Sequence, residues 1–287
     1  MKTFNIIFLS LFVAVLTANA QTAPETPKFL KETGPLAHCE SVAYNPGSNL
    51  VYVSVMAGSE KGDGSIAILN LEGDIENPRF ITGLNDPKGI AIKDNKLYVS
   101  DVDVLVEVDL KLGKILKRYE GNGAKSLNDV AIDGNGNVYV SDMGSSSIYK
   151  LGPDKNFVKW LTSPQLETPN GLLAVDNSLY VVGWASPATQ ESDSPKGGMM
   201  KINISTKEIT KVTPGDLANL DGLQKYDEKS FLVSGWNTGE IFKISKSGDS
   251  EVILKVDRSV GDILYLPKKN RLLLPMNIQN KVLIYTY

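Results

Sequence analysis

One pair of strand-like segments recurs six times along the 287 residues, at spacings of about 40–50 residues, and this constrains the fold more than any other feature. Each copy opens on a short apolar stretch and continues into Leu-Tyr-Val-Ser or a close variant. The plainest copies run from Lys88-Gly89-Ile90-Ala91-Ile92 to Leu97-Tyr98-Val99-Ser100-Asp101, and from Asn128-Asp129-Val130-Ala131-Ile132 to Val138-Tyr139-Val140-Ser141-Asp142. Asn170-Gly171-Leu172 with Leu179-Tyr180-Val181-Val182, and Asp221-Gly222-Leu223 with Phe231-Leu232-Val233-Ser234, continue the series. Glu40-Ser41-Val42 with Val51-Tyr52-Val53-Ser54 begins it, and Gly261-Asp262-Ile263 with Leu272-Leu273-Leu274 ends it. A strand repeat of this length predicts blades set around an axis, so the residues opening each copy converge on one channel.

Each full repeat has room for four strands. In the second copy the alternating run Val104-Leu105-Val106-Glu107-Val108-Asp109 supplies the third and Ile115-Leu116-Lys117-Arg118-Tyr119 the fourth. The predicted fold is therefore all-β, a six-bladed β-propeller of four-stranded blades. The last repeat is one strand short, because the chain ends at Tyr287. Lys28-Phe29-Leu30-Lys31-Glu32 near the N-terminus is expected to fill that place and cover the exposed edge. One domain spanning residues 21–287 is expected, with no internal boundary. Two connections are long, residues 56–64 and 185–198; the second, rich in Ser, Pro and charge, is either a lid or a tolerated surface insertion.

Residues 1–20 read as a cleavable signal peptide. Lys2 is followed by an apolar run from Ile6 to Leu16, and Ala18-Asn19-Ala20 forms a small-residue cleavage site. The run is too short to span a bilayer, and nothing later approaches the roughly 18 apolar residues a spanning helix needs. A secreted or periplasmic protein without stable membrane insertion is expected. The net charge of -3 and the absence of a Lys/Arg cluster argue against nucleic acid as a partner.

With one His and one Cys, the chain lacks the ligands of ordinary zinc or copper sites, so any metal is held by oxygen. Cys39 reads as a small buried hydrophobe and His38 as a surface or supporting residue. Aligning the six copies places one residue per blade at the channel mouth: Glu40, Lys88, Asn128, Asn170, Asp221 and Gly261. Asn-Asp, Asn-Gly and Asp-Gly pairs are also common turn formers, and singly each favours a turn. Together, two carboxylates and two amide oxygens from four blades make a hard-cation site. Calcium suits it, because that ion takes about 6–8 oxygen ligands in flexible geometry. Trp184 and Trp236 follow the Tyr-Val strands on the same face and either wall a substrate pocket or pack between blades. Asp101 and Asp142 are expected to bond backbone groups in turns, and Asp133 to Asn137 forms a hairpin rather than a calcium hand, since Val138 stands where that loop needs Gly.

Glu40-Ser41, Asn128-Asp129, Pro169-Asn170-Gly171 and Asp221-Gly222 resemble the senescence-marker-protein/gluconolactonase/luciferin-regenerating-enzyme family over essentially the whole chain after the leader. The resemblance implies a divalent metal on Glu40, Asn170 and Asp221, with Asn128 on the metal or on its substrate. It also implies calcium-dependent hydrolysis of a lactone or related ester, with Asp221 as base or nucleophile as well as ligand. One departure concerns the substrate: sugar-lactonase members carry Arg two residues before the equivalent of Asn128, where this chain has Ser126. Lys88 is expected to bind the small-molecule substrate in its place, or else to neutralise Glu40 or Asp221 in a metal-free site. The Tyr-Val-Ser-Asp and Asp-Gly-Asn-Gly-Asn segments equally resemble NHL repeats, which implies the rival reading, a non-catalytic binding scaffold. A decayed enzyme that keeps its metal for stability is a third.

Overall fold

The structure is a computed structural model that describes residues 1, 26–189 and 191–287. Apart from Met1, the expected signal peptide lies outside the described residues. Six four-stranded antiparallel sheets follow one another along the chain. Their innermost strands are Cys39–Asn45, Pro87–Lys93, Leu127–Ile132, Pro169–Val175, Leu220–Lys225 and Leu264–Leu266. The fold is the all-β six-bladed propeller that the repeat predicts.

The Tyr-Val signature has a direct cause. The second strand of every blade is sandwiched between two neighbouring blades, so both of its faces are buried and its residues alternate between two seams. Tyr52, Tyr98, Tyr139 and Tyr180 pack toward the following blade. Val53, Val99, Val140 and Val181 pack toward the preceding one. The apolar core is thus six clusters, one for each seam between blades. Outer strands such as Lys114–Glu120 face water and carry charge.

The inner strands share a second device. In blade one Cys39 pairs with Val55 and Val42 with Val53, so Glu40 and Ser41 together oppose Ser54. The same one-residue bulge recurs at Lys88-Gly89, Asn128-Asp129, Asn170-Gly171 and Asp221-Gly222. A bulge bends the strand and re-aims its side chains. Here it turns the first residue of each pair to the mouth and packs the second against the next blade. The fit is close: a Cβ on Gly171 would lie 1.9 Å from the Asp221 carbonyl oxygen, and one on Gly222 would lie 2.5 Å from the Ile263 amide nitrogen. The Ser of the repeat fastens the bulge, since Ser54, Ser141 and Ser234 accept from the amides of Ser41, Asp129 and Gly222 at 2.9, 2.9 and 2.7 Å.

Lys28–Thr33 pairs antiparallel with Lys281–Thr286 and completes blade six. Phe29 meets Tyr285 edge to face, and Lys281 pairs with Glu32 at 2.6 Å. Lys31 reaches Asp74 of blade one at 2.7 Å, so the strand also ties the ring's two ends together. The long connection of blade four is fastened at its base. Glu167 accepts from the Gly198 amide and from Lys211, Ser186 donates to Asp216, and Gly197 bridges to Ala218. No helix among the described residues is long and apolar enough to cross a membrane.

Candidate functional site

The five inner-strand bulges and the matching turn of blade six bring Glu40, Lys88, Asn128, Asn170, Asp221 and Gly261 to equivalent places around the axis. Glu40, Asn128, Asn170 and Asp221 are 6, 6, 1 and 3 % exposed. Each nevertheless keeps a buried oxygen without a hydrogen-bond donor: Glu40 Oε2, Asn128 Oδ1, Asn170 Oδ1 and Asp221 Oδ1. Asp262 has two more, and the others among the described residues, Asp63 Oδ1 and Ser65 Oγ, belong to blade one. An unpaired buried polar atom costs about 1–3 kcal/mol, so four at one ring need a common partner. The donor set of two carboxylates and two amides fits a hard cation. Among the described residues no three His, Cys, Asp or Glu side chains cluster as a metal site, so the amides are integral to such a reading.

The electrostatics of the ring follow from burial. Burial, then the charge of Asp221, holds Glu40 well above the usual carboxylate range. Burial, then Asp129, pushes Asp221 up to about 8, partly offset by the Asn170 amide and the Lys88 ammonium. An ionised Asp221 therefore depends on positive charge arriving in the ring. Lys88 is ion-paired to Asp86 at 3.5 Å and draws both Glu40 and Asp221 down.

A second tier lies beneath the first, formed by the second residue of each pair: Ser41, Gly89, Asp129, Gly171, Gly222 and Asp262. Asp129 and Asp262 come from blades three and six, which face each other across a six-fold ring. Asp129 accepts from the amides of Val130 and Leu172, both at 2.6 Å, which stabilise its charge. Asp262 has no such donors, and burial followed by the Asp129 and Glu40 charges raises it well above its usual range. Burial raises Asp129 as well, to about 6, partly offset by those two amides, so of the two carboxyls Asp262 is the harder to ionise. Both line a cavity of about 40 Å³ with Ser41 and Gln224. Sequence reasoning passed over this pair; its signal was the residue after each ring position, which is glycine in three blades and polar in the other three.

Trp184 and Trp236 are both partly exposed, and their rings meet across the seam of blades four and five at 5.7 Å. They pack between blades and present surface at the mouth at once. Asp101 accepts from the amides of Asn85 and Asp86, and Asp142 from those of Lys125, Ser126 and Gly144, so both are turn anchors. Cys39 is fully buried, and burial pushes its thiol up to about 12. His38 is exposed, at φ 51°. On the blade-one and blade-two side of this face lies an open cleft of about 450 Å³, lined by Gly58, Ser59, Glu60, Lys61, Asn85, Asp86, Val102 and Asp103.

These features define a class, a six-bladed propeller with an oxygen-rich polar ring at one mouth of its channel. No family profile matches the sequence, and no curated protein matches it. Solved structures do. A gluconolactonase from Xanthomonas campestris superposes with a TM-score of 0.65 at 14% identity, over 91% of this chain and 95% of that one. A catalytically inactive virginiamycin B lyase from Staphylococcus aureus, determined with quinupristin, gives 0.62 at 13% identity, over 91% and 98%. At such identities the likeness establishes the fold.

Proposed function

We propose that this chain is a calcium-dependent hydrolase of a lactone or related ester, acting at the ring of Glu40, Asn128, Asn170 and Asp221. The observation that carries the reading is the unpartnered oxygen that each of these buried side chains presents. The likeness to a gluconolactonase agrees with it but speaks for the fold alone. A divalent cation held there would polarise the substrate carbonyl and stabilise the oxyanion.

The chain's own groups have distinct tasks in this reading. Asp221 accepts the proton of the attacking water and returns it to the leaving oxygen, which requires that it be ionised. Asn170 orients Asp221 through its amide. Asn128, whose Nδ2 donates to Met143 Sδ at 2.9 Å, turns its oxygen to the ring for metal or substrate. Lys88 serves the substrate's polar end, and Trp184 and Trp236 wall the pocket.

Calcium titration by calorimetry, beside Asp221→Asn, tests the proposal. Binding by the parent chain that weakens at least about tenfold in the variant is expected, since a charged ligand is replaced by a neutral one. A parent chain that binds no divalent cation would favour the NHL-like scaffold, with Lys88 as the ring's own cation.

A further inference from the structure

We infer that the mouth selects a substrate with an apolar body, an alkyl- or aryl-substituted lactone or ester, over a polyhydroxylated sugar lactone. This rests on the ring being the hydrolytic centre. The observation behind it is a collar of residues, one per blade, that rims the mouth beside the ring.

The collar residue is the one that follows each blade's second strand. The backbone N–H groups of Met56, Met143, Trp184, Trp236 and Asn277 donate to the carbonyls of His38, Ser126, Thr168, Asn219 and Ser259 at 3.3, 3.0, 3.0, 2.8 and 2.9 Å. Each acceptor lies two residues before a ring position, so these five occupy equivalent places beside the ring. Val102 is the blade-two counterpart, with its carbonyl accepting from Leu127 at 2.8 Å. Five of the six are apolar, and all are at least partly exposed. Contact with the ring is direct, through Asn128 Nδ2 on Met143 Sδ. Neighbouring collar residues meet at two seams, through the Trp184–Trp236 contact and through Asn277 Nδ2 on Met56 Sδ.

The polar groups around this collar are largely spent inside the protein. Asn219 donates to the Trp184 carbonyl and accepts from Asn237. Thr168 donates to the Ala185 carbonyl, Ser259 to Gln279, and Asn277 to the His38 carbonyl. A sugar lactone brings several hydroxyls that each need a partner, and those that face the apolar collar rather than the ring are left unpaired at a cost of about 1–3 kcal/mol each. An alkyl chain gains from the same surface about 0.8 kcal/mol per buried methylene. The apolar arc runs through Met143, Trp184 and Trp236 in blades three to five, while the charged side chains of Glu60, Lys61, Asp86 and Asp103 lie across the axis by blades one and two. The substrate's apolar body therefore points to the Trp pair.

The test is binding, read by tryptophan fluorescence and calorimetry, of hydrolysis-resistant δ-lactams whose 6-alkyl chain grows from methyl to hexyl, beside gluconolactam. The expected result is an affinity rising about three- to fourfold per methylene, with the hexyl compound well ahead of gluconolactam. Trp184→Ala should flatten that slope, and calcium titration of the same variant reports whether its ring is intact. Gluconolactam binding as tightly as the hexyl compound, or a flat series, would overturn the inference. The series is run with and without calcium, because the collar's preference does not need the ion. Failure of calcium binding thus counts against the hydrolase reading alone.

Discussion

Lys88 is the ring residue whose company decides its role. Its side chain is only 20 % exposed, and its ammonium lies 3.5 Å from Asp86 and faces the Glu40 and Asp221 carboxylates. In the proposed enzyme it meets the polar end of the substrate, taking the part of the Arg that Ser126 replaces. Lys88→Met should then raise KM for an acidic substrate several-fold more than for a neutral one of the same size, in steady-state kinetics. Equal effects on both would return Lys88 to the role of a built-in counterion. At this scale the alignment of repeats already picked out the four residues with unpartnered oxygens, because each opens the strand before a Tyr-Val strand or its variant. It did not pick out Asp262, because nothing next to Gly261 in the chain announces a partner in blade three.

Among elements, blade two shows how three strands are pinned by one buried carboxylate. Glu107 on the third strand is ion-paired with Lys96 on the second, accepts from Tyr119 on the outer strand at 2.5 Å, and has Lys155 of blade three 3.6 Å away. Burial alone would raise its pKa, but the Lys96 and Tyr119 hydrogen bonds outweigh it and the net shift is downward. A carboxyl depressed in the folded state adds stability that is present above its unfolded value, about 4.3, and is lost as pH falls through the folded one. Glu107→Gln should therefore cost about 1–2 kcal/mol at pH 7 in urea unfolding, with the gap narrowing below about pH 4. A gap that stays constant from pH 7 to pH 3 would show that packing, not charge, is what Glu107 contributes. The strands themselves were readable from period-two alternation. Their bulges were not, since a bulge appears only when two strands are set in register.

For the whole molecule, closure depends on Lys28–Thr33. Without it the Lys281–Thr286 edge is open, and the Phe29–Tyr285 and Lys31–Asp74 links between the ring's ends are gone. Deleting residues 26–33 should lower Tm by on the order of 10 °C, from about 1 kcal/mol per lost ladder bond and about 2–4 °C per kcal/mol. Oligomers on a sizing column are expected as well, through the exposed strand edge. An unchanged Tm with a single monomer peak would mean that the seam between blades six and one holds the ring unaided.

The sequence by itself determined the blade count, the four-stranded blade, the closing strand and the ring positions. The closing strand follows from the one strand the last repeat lacks, and the others follow from the repeat itself, which is written along the chain. Only the tertiary structure decided which oxygens are left without donors, which carboxyls meet in the second tier, and what rims the mouth. Those depend on blades three and six facing each other, and on collar residues spaced a blade apart spending their neighbours' polar groups. Distances across the channel have no counterpart in distance along the chain.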